Sequence, residues 1–400
     1  MKKVLLLGGS RYLLPVIEAV HSLGYYAITC DYLPDNIAHK YSDEYHNVSI
    51  IDQEAVLELA KRLQVDGVMS FACDPGVETV SYVCEKLGLP THPHSSVEIL
   101  QNKAKFRRFL ADNGFRVPYA KGYTSVEAAV RDAGDFRWPV IIKPTDSAGS
   151  KGVTRVDDAA QLAEAASYAI GFSKTKSFIM EEFIEKVGCS SDTDCFSIDG
   201  ELVFCSFNDQ RFDDEGANPY APAAYSWPST MPAAVQAELR SELQRLFRLL
   251  HLNTSVYNIE TRLGADGHPY IMEVSPRGGG NRLSELLRYA TGTDLITNAV
   301  RAAVGEEVVG IHGDPVYHGA WAELILHSEK DGVFERLEFA PGFEEKFVVE
   351  KDLWVQPGDA VHAFTGANFA IGTLVLRFES QDQLADYMKR TKEFVRVIVK

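Results

Sequence analysis

Short apolar runs alternate with helix-period segments over the first hundred residues. Val4–Leu7 is an apolar run that stops at Gly8-Gly9-Ser10, and a helical pattern follows from about Leu14 to Leu23. Ala27–Cys30 repeats the strand pattern and stops at Asp31. A helix over Gln53–Leu63 then leads to Gly67–Phe71, whose end carries Cys73-Asp74-Pro75-Gly76. Strands separated by helices of about ten residues predict a parallel sheet covered on both faces. In such sheets ligands sit beyond the carboxyl ends of the strands, which singles out Gly8–Ser10, Asp31 and Cys73–Gly76. Ordinary tight turns produce the same pattern, and Gly8–Leu13 is not the G-x-G-x-x-G dinucleotide fingerprint.

Beyond this region the pattern changes. Ser96–Asn113 predicts one amphipathic helix, stopped by Gly114 with Pro118 just after. Trp138–Lys143 predicts a strand, Pro144–Gly152 a loop, Val153–Val156 a strand, and Asp157–Ile170 a helix capped by Asp157 or Asp158. Ser177–Ile184 and Asp194–Ser206 predict further strands, the second turning at Asp199-Gly200. Asp213–Ser229, rich in Pro, Ala, Gly and Asn, reads as a long irregular loop of the kind that often carries function. A helix over about Ala233–Leu250, a hairpin over Ser255–Pro276 and another helix follow. The tail from about Asp314 mixes hairpins with a helix near Gln381–Lys392.

Composition narrows the class. The 400 residues, 46% hydrophobic and 24% charged, fit a globular chain of two or three domains. A formal net charge of −16 argues against nucleic acid as a partner, because that binding depends on Lys and Arg neutralising phosphates. It leaves room for an anionic ligand in a locally basic pocket. The six cysteines show neither C-x-x-C nor zinc-finger spacing and read as reduced, mostly buried thiols. The first residues are too short an apolar run for a signal peptide, and no stretch approaches the ~18 apolar residues of a membrane span. The expectation is a cytoplasmic protein with no membrane partner. The eleven histidines form no H-x-x-H or H-E-x-x-H pair, and no G-x-S-x-G elbow is present.

Three constellations carry possible chemistry. In PVIIKPTDSAGSKGVTRV a Gly/Ser-rich loop between two strands offers backbone N–H groups and hydroxyls to phosphate oxygens, with Lys143 and Lys151 adding charge. Its order is not that of a Walker loop, and a flexible turn is the plainer alternative. FIMEEFIE is an apolar strand ending in Glu181 and Glu182, suited to a flat base but, taken alone, a solvated strand end. The third is VYNIETRLGADGHPYIMEVSPRGGGNR. A turn centred on Ala265-Asp266 places Asn258, Glu260, Arg262, Glu273, Ser275 and Arg277 on one face. Glu260 and Glu273 then become diagonal neighbours about 7–8 Å apart, able to converge on one hard cation such as Mg²⁺ or Mn²⁺. Paired Glu–Arg side chains on a solvated hairpin give the same alternation, and a bulge would change it.

These parts occur in a telling order: a basic helix with Lys103, the glycine loop, the apolar strand, the paired carboxylates and Arg277 before a Gly run. That order resembles the ATP-grasp superfamily, specifically its carboxylate–amine ligases, a group including glycinamide ribonucleotide synthetase, biotin carboxylase, carbamoyl phosphate synthetase and the L-amino-acid ligases. The resemblance covers about residues 1–300 and, loosely, the tail. It implies an α/β chain with a Rossmann-like pre-ATP-grasp domain over 1–95 and an α+β ATP-grasp domain over 96–310, with a lid at about 118–186. A small β-rich domain over 311–400 would complete the cleft or make a homodimer.

The resemblance also implies roles. Lys103 of N-K-x-x-x-R and Lys143 would bind ATP phosphates, and Ser147, Gly149, Ser150 and Gly152 would close over them. Glu181, Glu182, Phe183 and Ile184 would hold adenine. Glu260 and Glu273 match the metal-binding carboxylates, and Arg277 matches the arginine of E-x-N-x-R that steadies a carboxylate or acyl phosphate. Two positions depart from the pattern. Ser275 replaces the Asn of that signature, a third metal ligand. Gly188-Cys189-Ser190 replaces G-x-E, leaving Ser190 for the ribose. Arg211 is a candidate second anion contact, or a surface arginine paired with Asp213 or Asp214. The implied activity is an ATP- and Mg²⁺-dependent ligase joining a small carboxylate to an amine. An ATP-grasp small-molecule kinase and a non-catalytic ATP-binding regulator are the alternatives.

Overall fold

The structure, a computed structural model, describes residues 1–400 except 148, 214, 215, 217 and 312. Strands β1 (Lys3–Leu7), β2 (Tyr26–Cys30), β3 (Glu44–His46) and β4 (Gly67–Ser70) form a parallel sheet in the order β3-β2-β1-β4. Val4–Leu7 are wholly buried, as a parallel strand covered on both faces requires. Leu5 and Leu7 face helices α2 (Gln53–Leu63) and α3 (Val77–Leu87). Val4 and Leu6 face α1 (Leu14–Ser22) and a helix from far along the chain, Leu295–Ala303. The carboxyl ends of the strands lead into Gly8, Asp31 and the Asp74–Gly76 turn, as the sequence predicts.

The single helix expected over Ser96–Asn113 is two: α4 (His94–Gln101) and α5 (Lys103–Asp112). Asn102 between them is extended, and its side chain accepts from the N–H groups of Ala104 and Lys105. An Asn inside an apolar periodicity caps a new helix here instead of continuing the old one. The break makes Lys103 the first residue of α5.

The stretch expected to form a lid holds an antiparallel sheet in the order β5-β8-β6-β7, from Ala120–Tyr123 (β5), Val140–Pro144 (β6), Thr154–Val156 (β7) and Phe178–Glu182 (β8). Helices α6 (Val126–Arg131) and α7 (Leu162–Phe172) cover it, and Asp158 caps the short turn before α7. A second sheet, β10-β9-β13-β14, comprises Ser191–Ile198 (β9), Glu201–Cys205 (β10), Ser255–Leu263 (β13) and Pro269–Ser275 (β14). Helix α8 (Ala233–Leu249) packs on one face through Leu239, Leu243, Leu246 and Phe247. The turn at Asp199-Gly200 falls where the sequence places it.

The expected loop over Asp213–Ser229 is shorter, because Pro222–Trp227 is strand β12. Its small Ala and Ser positions hide the apolar pattern, yet Ala224–Trp227 are buried. Together with β11 (Asp209–Phe212), β12 joins Ala320–Leu326 (β15), Gly372–Phe378 (β19) and Val348–Leu353 (β17) in a five-stranded sheet ordered β11-β12-β15-β19-β17. Gly332–Phe339 (β16), Ala360–Val361 (β18) and Val395–Val399 (β20) form a small sheet beside it. The tail helix ends at Lys389, and a short turn over Thr391–Phe394 follows. Helices α9 (Leu283–Thr291) and α10 (Leu295–Ala303) complete the centre. All six cysteines are free, and among the described residues no helix is long and apolar enough to cross a membrane.

His92 ties the segment before α4 to the turn before β13. Its Nδ1 accepts from Asn253 N–H at 3.0 Å, and burial alone pushes the imidazole down to about 4. A histidine held neutral in the folded chain must gain its proton on unfolding. Stability is therefore full above its ordinary value of about 6.5 and is lost as pH falls toward 4, by about 3 kcal/mol in all. His92→Gln retains an acceptor without the proton. Urea denaturation between pH 7 and pH 4.5 is expected to show a flatter acid limb in this variant; superimposable limbs would remove His92 as the cause.

Candidate active site

Lys103, at the start of α5, donates to the carbonyl of Ser147 at 2.9 Å and lies 3.4 Å from Glu273. One ammonium thus spans the glycine loop and the acidic hairpin. The loop itself meets two further segments. Ser150 Oγ donates to the carbonyl of Tyr220 at 3.1 Å, and Asn218 Nδ2 donates to the carbonyl of Thr365 at 2.9 Å. Gly149 and Gly152 both have positive φ, and at Gly152 a Cβ would come within 2.9 Å of Phe172 and Pro144. Ala148 of this loop lies outside the described residues.

Beneath the loop lies a buried charge cluster. Glu181 is 2% exposed and sits between Lys143 and Arg107, whose Nε lies 3.0 Å away. Burial pushes its carboxyl up, but the two cations outweigh that and hold it at about 2. Burial lowers Lys143, and Glu181 keeps it a partner. Glu181 is not a solvated strand end, and neither is Glu182, which Arg137 clamps through its backbone N–H and guanidinium. The N–H groups of Glu182 and Phe183 donate to the carbonyls of Tyr119 and Pro139. Adenine contacts from this strand therefore cannot come from those two amides as the sheet stands. The carbonyl of Ile184 accepts from Arg262.

In the hairpin, Asn258 pairs with Ser275 and Glu260 directly with Glu273; a bulge then shifts the register so that Thr261 meets Ile271. The turn at Ala265-Asp266 is present, Gly267 N–H donating to the Gly264 carbonyl at 2.9 Å, but Gly264 N–H donates to His268 and Met272 is an extra residue, so the strand register differs from the expected one. The correction tightens the arrangement, because direct opposition brings two side chains closer than the diagonal does. On the other side β9 places Asp192 opposite Glu260. Burial and the neighbouring Glu260 push Asp192 up to about 7, and burial pushes Asp194 up to about 6 against the hydrogen bond from Ser284. Asp194 also accepts from the Gly279 N–H at 2.8 Å, which fixes the glycine run over the sheet. At Gly278 a Cβ would overlap the Phe71 ring at 2.1 Å, so this segment passes where no side chain fits.

Glu260 and Glu273 suit a hard divalent cation. They are opposed and partly open, and their nearest cations are 3.8 Å (Arg262) and 3.4 Å (Lys103) away, too far to be tight pairs. Among the described residues no group of three His, Cys, Asp or Glu side chains is arranged to hold a metal alone. Ser275 is otherwise engaged: it is buried, donates to Asp74 at 2.8 Å and accepts from Gln101 at 3.1 Å.

Arg277 reaches out of the second sheet to Asp74, both carboxylate oxygens lying 2.7 Å from Nη2. Burial alone would raise Asp74; the Arg277 charge outweighs it and keeps the carboxyl below its ordinary value. Ser190 has no exposed surface, and its hydroxyl accepts from Arg262 Nε at 3.2 Å. Arg211 pairs with Asp209 at 3.2 Å rather than with Asp213; Asp214 lies outside the described residues. Sequence reasoning missed Arg107, though it is the arginine of N-K-x-x-x-R. It also missed Asp192 and Asp194, signalled by the alternation Ser191-Asp192-Thr193-Asp194.

Residues 136–285 match the family model for the ATP-grasp domain. That stretch runs from β6 through the acidic hairpin to Arg277. The chain is similar to an L-amino acid ligase from Bacillus licheniformis, with a TM-score of 0.81 and 20% identity over 100% of this chain and 99% of that one. It is also similar to the biotin carboxylase domain of 2-oxoglutarate carboxylase from Hydrogenobacter thermophilus, with a TM-score of 0.76 and 18% identity over 100% and 91% of the two chains. Among curated proteins it is 28% identical over 295 residues to carnosine synthase 1 of Gallus gallus, covering 68% of this chain and 30% of that protein. The chain spans about half or less of the length of the curated relatives it matches first.

Proposed function

We propose that this protein is an ATP- and Mg²⁺-dependent ligase that activates a small-molecule carboxylate and joins it to an amine, releasing ADP and phosphate. The observation that carries this reading is Lys103, which ties the glycine loop to the directly opposed Glu260 and Glu273. Those are the parts phosphoryl transfer needs, positioning and charge neutralisation, within an ATP-grasp domain. The solved relative from Hydrogenobacter thermophilus is described with MgADP and bicarbonate, which supports the same ligand classes for this cleft.

In this reading a carboxylate oxygen attacks the γ-phosphorus of ATP, the bond to the bridging oxygen breaks, and ADP leaves. Glu260 and Glu273 would hold Mg²⁺, which would supply charge neutralisation on the phosphates when bound. Lys103 and Lys143 orient the phosphate chain, and Arg277 holds the carboxylate or its acyl phosphate through a bidentate fork. Asp74 occupies that fork, so substrate entry exchanges one carboxylate for another. A neutral amine then attacks the acyl carbon and phosphate departs. The acyl phosphate must be kept from water, and the contacts of Ser150 with Tyr220 and of Asn218 with Thr365 are suited to that. Cytoplasmic residence and a homodimer belong to the same reading.

Purified protein incubated with MgATP, pooled amino acids and small carboxylic acids, and hydroxylamine is expected to yield carboxylate-dependent hydroxamate with matching free phosphate. ADP with neither product would replace the ligase by a kinase. Nucleotide binding without ADP would leave only a binding protein.

A further inference from the structure

One row of directly paired residues crosses the five-stranded sheet: Gln210 on β11, Tyr225 on β12, Glu323 on β15, Val375 on β19 and Glu350 on β17. Glu323 stands in the middle strand, among Ala320, Trp321, Ala322, Leu324, Ile325 and Leu326, all buried. It has no exposed surface, and neither carboxylate oxygen has a hydrogen-bond donor. A buried polar group without a partner costs about 1–3 kcal/mol when neutral and far more when charged, so packing alone gives no reason for a carboxyl there.

The cation that acts on Glu323 is already engaged by other carboxylates. Arg282, at the start of α9, pairs with Glu285 at 3.0 Å and with Glu350 at 2.8 Å. Three carboxyl groups thus share one guanidinium, and Arg282 Nη1 itself has no acceptor. Burial raises Glu323 well above the ordinary carboxyl range, consistent with a proton held until a positive charge arrives. The row also leads to the site already described. The Tyr225 hydroxyl donates to Asp192 at 3.2 Å, and Asp192 lies opposite Glu260.

We propose that Glu323 receives an ammonium group of the acid substrate, so that this substrate is an amino acid whose own amine takes no part in bond formation. The inference rests on the ligase reading and deepens it. A reacting amine needs a free lone pair, whereas a buried carboxylate holds nitrogen as ammonium; the group at Glu323 is therefore a spectator that confers specificity. An oxygen of the same molecule can satisfy Arg282 Nη1.

The test is calorimetric titration of wild-type protein and Glu323→Gln, both with MgADP present. The probes are the common L-amino acids and β-alanine, with acetate, propionate and 3-phenylpropionate as counterparts lacking the amine. At least one amino acid is expected to bind wild type saturably, and both its des-amino counterpart and the variant are expected to bind about 30-fold more weakly or worse. Equal affinity in the two proteins, equal affinity for the des-amino acid, or no binding by any amino acid overturns the proposal. If Glu323→Gln fails to unfold cooperatively, the comparison of acids on wild type decides alone. Amino-acid binding that depends on Glu323, without hydroxamate formation, keeps the ammonium site and sinks the ligase reading. Hydroxamate from propionate at equal KM in both proteins does the reverse.

Discussion

Glu273→Gln is expected to lower ATP-dependent hydroxamate formation by about a thousandfold while the protein stays folded, because it removes one of two opposed charges where negative phosphate must be neutralised. The amide keeps the shape of the carboxylate. Its ion pair is a partly exposed contact to Lys103 at 3.4 Å, so the expected change in stability is under about 1 kcal/mol. Steady-state kinetics beside a urea titration separate the two effects. Turnover within a few-fold of wild type would remove Glu273 from the metal-binding pair, and loss of cooperative unfolding would mean the residue is structural.

Arg107→Ala is expected to act in the opposite way, on the fold. Arg107 and Glu181 are 4% and 2% exposed, and Arg107 Nη1 also donates to the Met272 carbonyl at 2.8 Å, tying the lid strand β8 to the acidic hairpin. Truncation leaves a buried carboxylate with Lys143 alone, a loss of about 3–5 kcal/mol. The pH dependence follows from Glu181, whose folded-state value is depressed to about 2. Its contribution is present above the ordinary carboxyl range and is lost as pH falls toward 2; without Arg107 the value is less depressed, so the loss is smaller and complete at a higher pH. Denaturation curves at pH 7 and pH 4 measure both effects. A stability change under about 1 kcal/mol would mean that the cluster is tolerant of a missing charge.

The sequence made the parallel sheet of the first domain legible because its strands are continuous apolar runs and its helices keep a clean period. It was less informative where one polar residue decides geometry. Asn102 reads as a tolerated position within a helix, and only its extended backbone shows that it caps a second one. In β12 the small residues Ala223, Ala224 and Ser226 carry too little apolar signal to mark a strand. The facing of Glu260 and Glu273 was legible as chemistry but not as register, since a one-residue bulge has no marker in the residues around Met272. Arg107 and Asp192 sat within legible motifs, yet their importance comes from burial, which spacing does not report. Glu323 lies in a strand that reads as apolar throughout, and its isolation becomes visible only when every neighbouring donor can be counted.

The threading of the chain through the five-stranded sheet has a consequence for how the molecule can be divided. Two of its strands, β11 and β12, precede residue 310, and three follow it. A gene fragment ending at 310 would leave β12 without β15, exposing an edge of buried residues that invites pairing with another copy. The piece beginning at 311 would lack two strands of its own sheet. The protein is therefore a poor candidate for modular swapping at that position, and recombination partners should be sought with crossovers before Ser191, ahead of both sheets that interleave there.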